Sequence, residues 1–136
     1  MKEITLDAEL GNLNEVLAFV DSRLEELECP MKAQMQIDVA VEEIFVNIAS
    51  YAYEQQPGSA TIRMEVGQDP KSVAITFLDR GIPYNPVEKE DPDVSLPIEK
   101  RRIGGLGIYM VKKSMDKMLY EHRDGHNILT IIKKIS

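Results

Sequence analysis

The chain of 136 residues has one cysteine, Cys29, so no disulfide can form within it. It lacks an excess of positive charge. The formal net charge is −7, which argues against a general nucleic-acid binder because phosphate backbones demand a basic surface. It has no apolar run of the length that crosses a bilayer. The N-terminus carries Lys2, Glu3, Asp7 and Glu9 where a secretory leader would need an apolar stretch. Internal repeats and low-complexity segments are also missing. These absences lead to the expectation of a single cytoplasmic domain, residues 1–136, with Cys29 as a small buried or half-buried residue. A hydrophobic content of 43% is ample for a core.

What is there is strong periodicity. Glu3 to Leu6 alternates as a short strand does. Asn12 followed by Glu15 has the form of a capping box, opening a helix over roughly 12–28 that Pro30 separates from the next. Ile37, Ala40, Val41, Ile44, Phe45, Ile48, Ala49 and Ala52 make one continuous helical stripe. Residues 61–66 and 72–78 read as strands joined at Asp69-Pro70-Lys71. Residues 80–103 hold four prolines and no sustained period, which suggests a lid. A third helix then carries Ile108, Val111, Met115 and Met118 on one side. Residues 118–122 and 128–132 pair as a hairpin around Asp124-Gly125. The order β-α-α-β-β-lid-α-β-β predicts an α+β two-layer sandwich, with helices on one face of a mixed or antiparallel sheet.

Three boxes stand out for chemistry. Glu43 and Asn47 are four apart on a helix, about 40° apart around its axis, and lie off the apolar stripe. A carboxylate there can deprotonate a hydroxyl, and an amide oxygen suits a hard cation. Alone, the same pair is what many solvated helix faces carry. Asp79-Arg80-Gly81 falls at a strand end, where a carboxylate can accept a hydrogen bond from an exocyclic amine and glycine leaves room for a flat base. An Asp-x-Gly turn is also a common strand terminator. Gly104-Gly105-Leu106-Gly107 opens the third helix, where free backbone N–H groups and the positive dipole end can meet phosphate. Glycines before a helix are equally a plain turn.

Taken in order, the boxes resemble the ATP-binding superfamily of histidine kinases, type II topoisomerases and heat-shock chaperone ATPases, the Bergerat fold. Within it the chain looks most like the small bacterial anti-sigma-factor serine/threonine kinases. The resemblance rests on Val41-Glu42-Glu43 through Asn47 with Tyr51-Ala52-Tyr53, on Asp79 through Pro86, and on Leu96-Pro97 through Arg102 running into Gly104-Gly105-Leu106-Gly107-Ile108.

That resemblance implies ATP and Mg²⁺ as cofactors. It implies Glu43 as general base, Asn47 as the Mg²⁺ ligand, and Asp79 with Gly81 as the adenine site. Gly104, Gly105, Leu106 and Gly107 would sit at the phosphates and hinge a lid over 84–103. Arg101 or Arg102 would reach the terminal phosphate or a partner acid. The implied substrate is a hydroxyl on an anti-sigma-factor antagonist, with a sigma factor as a further partner and a homodimer as an assembly. Helix one and the early part of helix two would be the partner or dimer surface, since the ATP site would occupy the opposite end. A nucleotide-binding regulatory module with little or no kinase activity is the alternative. Many relatives carry a threonine in a late strand near adenine; here Asn127 and Thr130 are both candidates, the sequence does not give the register, and neither is assigned to the site. His122 and His126, in the last hairpin, read as surface residues.

Overall fold

The computed structural model describes residues 1–53, 56–68, 70–88 and 105–135. The order is β1 (Lys2–Asp7), α1 (Leu13–Glu26), α2 (Met31–Asn47), β2 (Ser59–Gly67), β3 (Ser72–Asp79), α3 (Gly105–Ser114), β4 (Lys117–Arg123) and β5 (His126–Lys134). The strands form one sheet in the order β1-β2-β3-β5-β4, and all four pairings are antiparallel. The three helices cover one face. The core joins Val16, Val20 and Leu24 of α1 and Ile37, Val41, Ile44 and Phe45 of α2 to Ile62, Met64, Ile75, Phe77 and Ile131 of the sheet. The alternation in β2 and β3 therefore sends every second side chain into that layer.

Local details refine the sequence reading. Asn12 makes no side-chain cap; its Nδ2 instead donates to the Asp7 carbonyl at 2.8 Å, and a 3₁₀ turn over Leu10–Asn12 leads into α1. The side chain is thus committed to β1 rather than to the helix end. Helix α1 stops at Glu26, where Glu28 adopts a left-handed φ of 56° and the Cys29 N–H closes back on the Leu24 carbonyl at 3.0 Å. The expected hairpin turn is present, with φ of 54° at Asp124 and 77° at Gly125. Two consecutive positive φ values are what a two-residue turn matched to strand twist requires. Met115 lies past the end of α3 and Met118 belongs to β4, although Met115 still packs in the core. Of the expected lid, residues 84–88 are described and include a 3₁₀ turn over Pro86–Glu88; the remainder lies outside the described residues.

Between α1 and α2, Asp38 is half-buried beside Asp21, whose Oδ1 accepts a hydrogen bond from Gln34 Nε2 at 3.2 Å. Asp38 Oδ1 is buried without a hydrogen-bond partner. Burial, then a hydrogen bond to the Asp21 carboxyl and its charge, push the Asp38 pKa up to about 7.

Helix α2 does not end cleanly at Asn47. It widens into a π-helical turn over Ile48–Ala52. Such turns recur at functional sites. Here the widened turn presents the Ala52 carbonyl to the Ile82 N–H at 2.8 Å, tying α2 to the loop after β3.

Candidate nucleotide-binding site

A cavity of about 470 Å³ opens between α2, the end of β3, the start of α3 and the β4–β5 hairpin. Its walls are mostly apolar, from Ile44, Ile48, Ile108 and Leu129, with Asn47, Asp79 and Asn127 as polar points. A concave apolar pocket with few placed polar groups is the usual form of a small-molecule site.

Asp79 is the last residue of β3 and is 6% exposed. The turn after it folds back on it: the Gly81 N–H donates to Asp79 Oδ1 at 2.8 Å. A Cβ at Gly81 would collide with the Ala52 carbonyl, so glycine is required where this loop meets the π turn. Tyr53 secures the same junction. Its hydroxyl donates to the Ser59 carbonyl at 2.6 Å and accepts the Arg80 N–H at 2.8 Å.

Asn127 is the second buried polar residue, and the register explains it. It pairs directly with Asp79 across β3 and β5, and its Nδ2 donates to Asp79 Oδ1 at 2.9 Å. Thr130 points to the other sheet face, where its hydroxyl meets that of Thr76 at 3.1 Å. Of the two late-strand candidates, Asn127 is the one at the cavity. Tyr120 of β4 also lines it and hydrogen-bonds to Asn127 Oδ1. Sequence reading missed Tyr120 and took Tyr53 only as part of the family signature, with no role of its own; aromatic spacing carries no local mark of a polar role. His126 accepts a hydrogen bond from Arg80 Nε at 3.0 Å.

Glu43 and Asn47 lie on one face of α2, as their spacing demands, and Asn47 Nδ2 donates to Glu43 Oε1 at 3.4 Å. Both are half-buried. Helix α3 brings Gly107 against this pair. A Cβ at Gly107 would strike the Glu43 carboxylate, so with glycine there the carboxylate keeps its place against α3. Gly105 and Leu106 form the first turn of that helix. Gly104, Arg101 and Arg102 lie outside the described residues. The carboxylate of one sequence box is thus brought to a glycine of another, more than 60 positions away in the chain.

The donor set fits Mg²⁺ with a nucleotide. Asn47 directs its amide N–H to Glu43, and its Oδ1 is an oxygen acceptor of the kind a hard cation takes. Among the described residues no group of three or more His, Cys, Asp or Glu could hold a metal ion. A single protein oxygen with the balance from water and phosphates is a familiar Mg²⁺ arrangement. Among the described residues, no helix is long and apolar enough to cross a membrane.

Comparison with known proteins agrees with this geometry. Residues 6–133 match the family described as "Histidine kinase-like ATPase domain". The chain is 27% identical over 74% of its length to the serine/threonine-protein kinase BtrW of Bordetella bronchiseptica, spanning 70% of that protein. It is 30% identical over 67% of its length to the serine-protein kinase RsbW of Bacillus mycoides, spanning 58% of it. Among solved structures, the RsbU and RsbW domains of Rv1364c from Mycobacterium tuberculosis superpose with a TM-score of 0.66 at 15% identity, covering 99% of this chain and 33% of that one. The histidine kinase domain of the Erythrobacter litoralis EL346 blue-light activated histidine kinase gives 0.59 at 16% identity, covering 90% and 61%. Because the sequence match runs from the end of β1 to the end of β5, across every element that builds the cavity, the chain belongs to the histidine kinase-like ATPase domain family.

Proposed function

We propose that the chain is an ATP- and Mg²⁺-dependent protein serine/threonine kinase of the anti-sigma type, acting in the cytoplasm on a small antagonist protein. The observation that carries this reading is the meeting of Glu43 with Gly107 at the opening of α3. It sets a carboxylate beside the helix N-terminus, where phosphate oxygens are favoured. The kinase names of the relatives BtrW and RsbW support the same reading.

In this mechanism Asp79 accepts a hydrogen bond from the adenine 6-amino group, while Gly81 keeps the base plane clear. The first-turn N–H groups at Gly105, Leu106 and Gly107 bind phosphate oxygens. Asn47 would hold Mg²⁺, which when bound neutralises charge on the phosphates. Glu43 takes the proton from the incoming serine or threonine hydroxyl as that oxygen bonds to the terminal phosphorus, and the bond from this phosphorus to the bridging oxygen breaks to release ADP. Positioning and charge neutralisation carry most of the rate in such transfers.

The partner surface in this reading is the outer side of α2. Met31, Met35 and Val39 recur at four-residue spacing and are 77%, 62% and 58% exposed. A row of large apolar side chains facing solvent suits a protein partner. In that partner-switching scheme, phosphorylation of the antagonist alternates with sequestration of a sigma factor. Labelled ATP incubated with candidate antagonists tests the whole reading: a phosphoprotein supports it. ATP binding without transfer would instead identify a nucleotide-gated binding module, and the kinase assignment would fall.

A further inference from the structure

Asn127 is saturated by its surroundings. Its Nδ2 faces three acceptors: Asp79 Oδ1 at 2.9 Å and the carbonyls of Ile82 and Gly81 at 3.0 and 3.3 Å. Its Oδ1 accepts the Tyr84 N–H at 3.4 Å and the Tyr120 hydroxyl. Donors on one side and acceptors on the other allow only one orientation of the amide. Burial, its largest influence, raises the Tyr120 pKa, so the phenol keeps the proton it donates. With the Gly81 N–H, Asn127 places both observed hydrogen bonds to Asp79 on Oδ1. Oδ2 is the oxygen left for a ligand in the cavity that Asp79 lines.

We infer that Asn127, clamped by Tyr120 and the Tyr84 N–H, is the positioning residue that sets base specificity. It acts through Asp79 rather than by touching the base. Two donors on Oδ1 fix the plane of the carboxylate and leave Oδ2 as the acceptor offered to a ligand. A purine with a 6-amino group satisfies it. A 6-oxo purine sets acceptor against acceptor, with neither group able to turn to water. Without the Asn127 donor one of the two bonds that fix the carboxylate is gone, and the group can turn its oxygens away from a 6-oxo group. Discrimination should then fall even though the cavity keeps its shape.

This inference rests on the nucleotide reading above, and one set of titrations separates the two. Binding of ATP and of inosine triphosphate, which differs at position 6, is measured for the unaltered chain, Asn127→Ala and Tyr120→Phe. The unaltered chain should prefer ATP. Asn127→Ala should narrow the ATP:ITP affinity ratio by roughly tenfold, and Tyr120→Phe by about threefold. Tyr120→Phe removes one hydroxyl and decides the matter if Asn127→Ala does not fold. A ratio unchanged within about twofold in folded variants would overturn the role of Asn127 and leave the nucleotide site standing. No binding of either triphosphate to the unaltered chain would overturn the nucleotide reading and this inference with it.

Discussion

The surroundings of Asp79 and of Glu43 are built by opposite means. Asp79 is nearly sealed and bonded through Oδ1 to a loop N–H and a buried amide. Glu43 is half-buried, with one long hydrogen bond from Asn47 and a glycine pressed against it. Each setting suits a different role. Reading a base needs an acceptor that cannot move. Taking a proton from a hydroxyl needs a carboxylate with a free oxygen and room to approach.

The sharpest way to break this contrast is Glu43→Gln, which keeps shape and removes the base. Phosphorylation of a cognate antagonist should fall by at least ~100-fold, while ATP affinity stays within about threefold. Asp79→Asn should do the reverse. ATP affinity, read by titration, should weaken by about 10- to 100-fold, and the rate at saturating ATP should change far less. Gly107→Ala tests whether the two regions are separable. Its methyl group would push the Glu43 carboxylate aside, so transfer should drop about tenfold and ATP affinity should also weaken. Equal transfer rates in Gly107→Ala and the unaltered chain would remove Glu43 from the role given to it.

A smaller effect lies away from the cavity. Asp38 titrates near 7 when folded and near its usual 3.8 when unfolded. The unfolded chain therefore loses this proton first as pH rises. The folded state is penalised progressively from about pH 4 to about pH 7, beyond which the penalty is constant. Asp38→Asn should raise the melting temperature at pH 7.5 by a few degrees, about 2–4 °C, and leave it nearly unchanged at pH 4. The nucleotide site should be indifferent to this change, which makes it a control for the other variants.

Much of this was legible because it is local. The stripe from Ile37 to Ile48 specifies α2 by period alone, and it also fixes Glu43 and Asn47 on one face. Asp124-Gly125 names its own turn. The features that stayed hidden depend on pairing at a distance. Asn127 meets Asp79 only because β5 pairs with β3 in one register, 48 positions apart, and a shift of one residue would have put Thr130 on the inner face. The Asn12 box misled for a related reason: β1 competes for the side chain that would have capped α1. The π turn has no sequence signature that a helical stripe would reveal, since its residues continue the apolar pattern.

The π turn also bears on how the chain tolerates insertion and deletion. A turn that closes on the fifth residue holds one more than an α-helix would. Removing a single residue from Ile48–Ala52 would let α2 run on as an ordinary helix, and because the wide turn spends its extra residue on width and not on rotation, the chain beyond would leave in nearly the same direction. The Ala52 carbonyl and the Tyr53 hydroxyl would then still fall near the partners they hold now, Ile82 on one side and Ser59 and Arg80 on the other. A one-residue deletion here should therefore be milder than one in the α-helical part of α2, where the same loss turns everything downstream by about 100°.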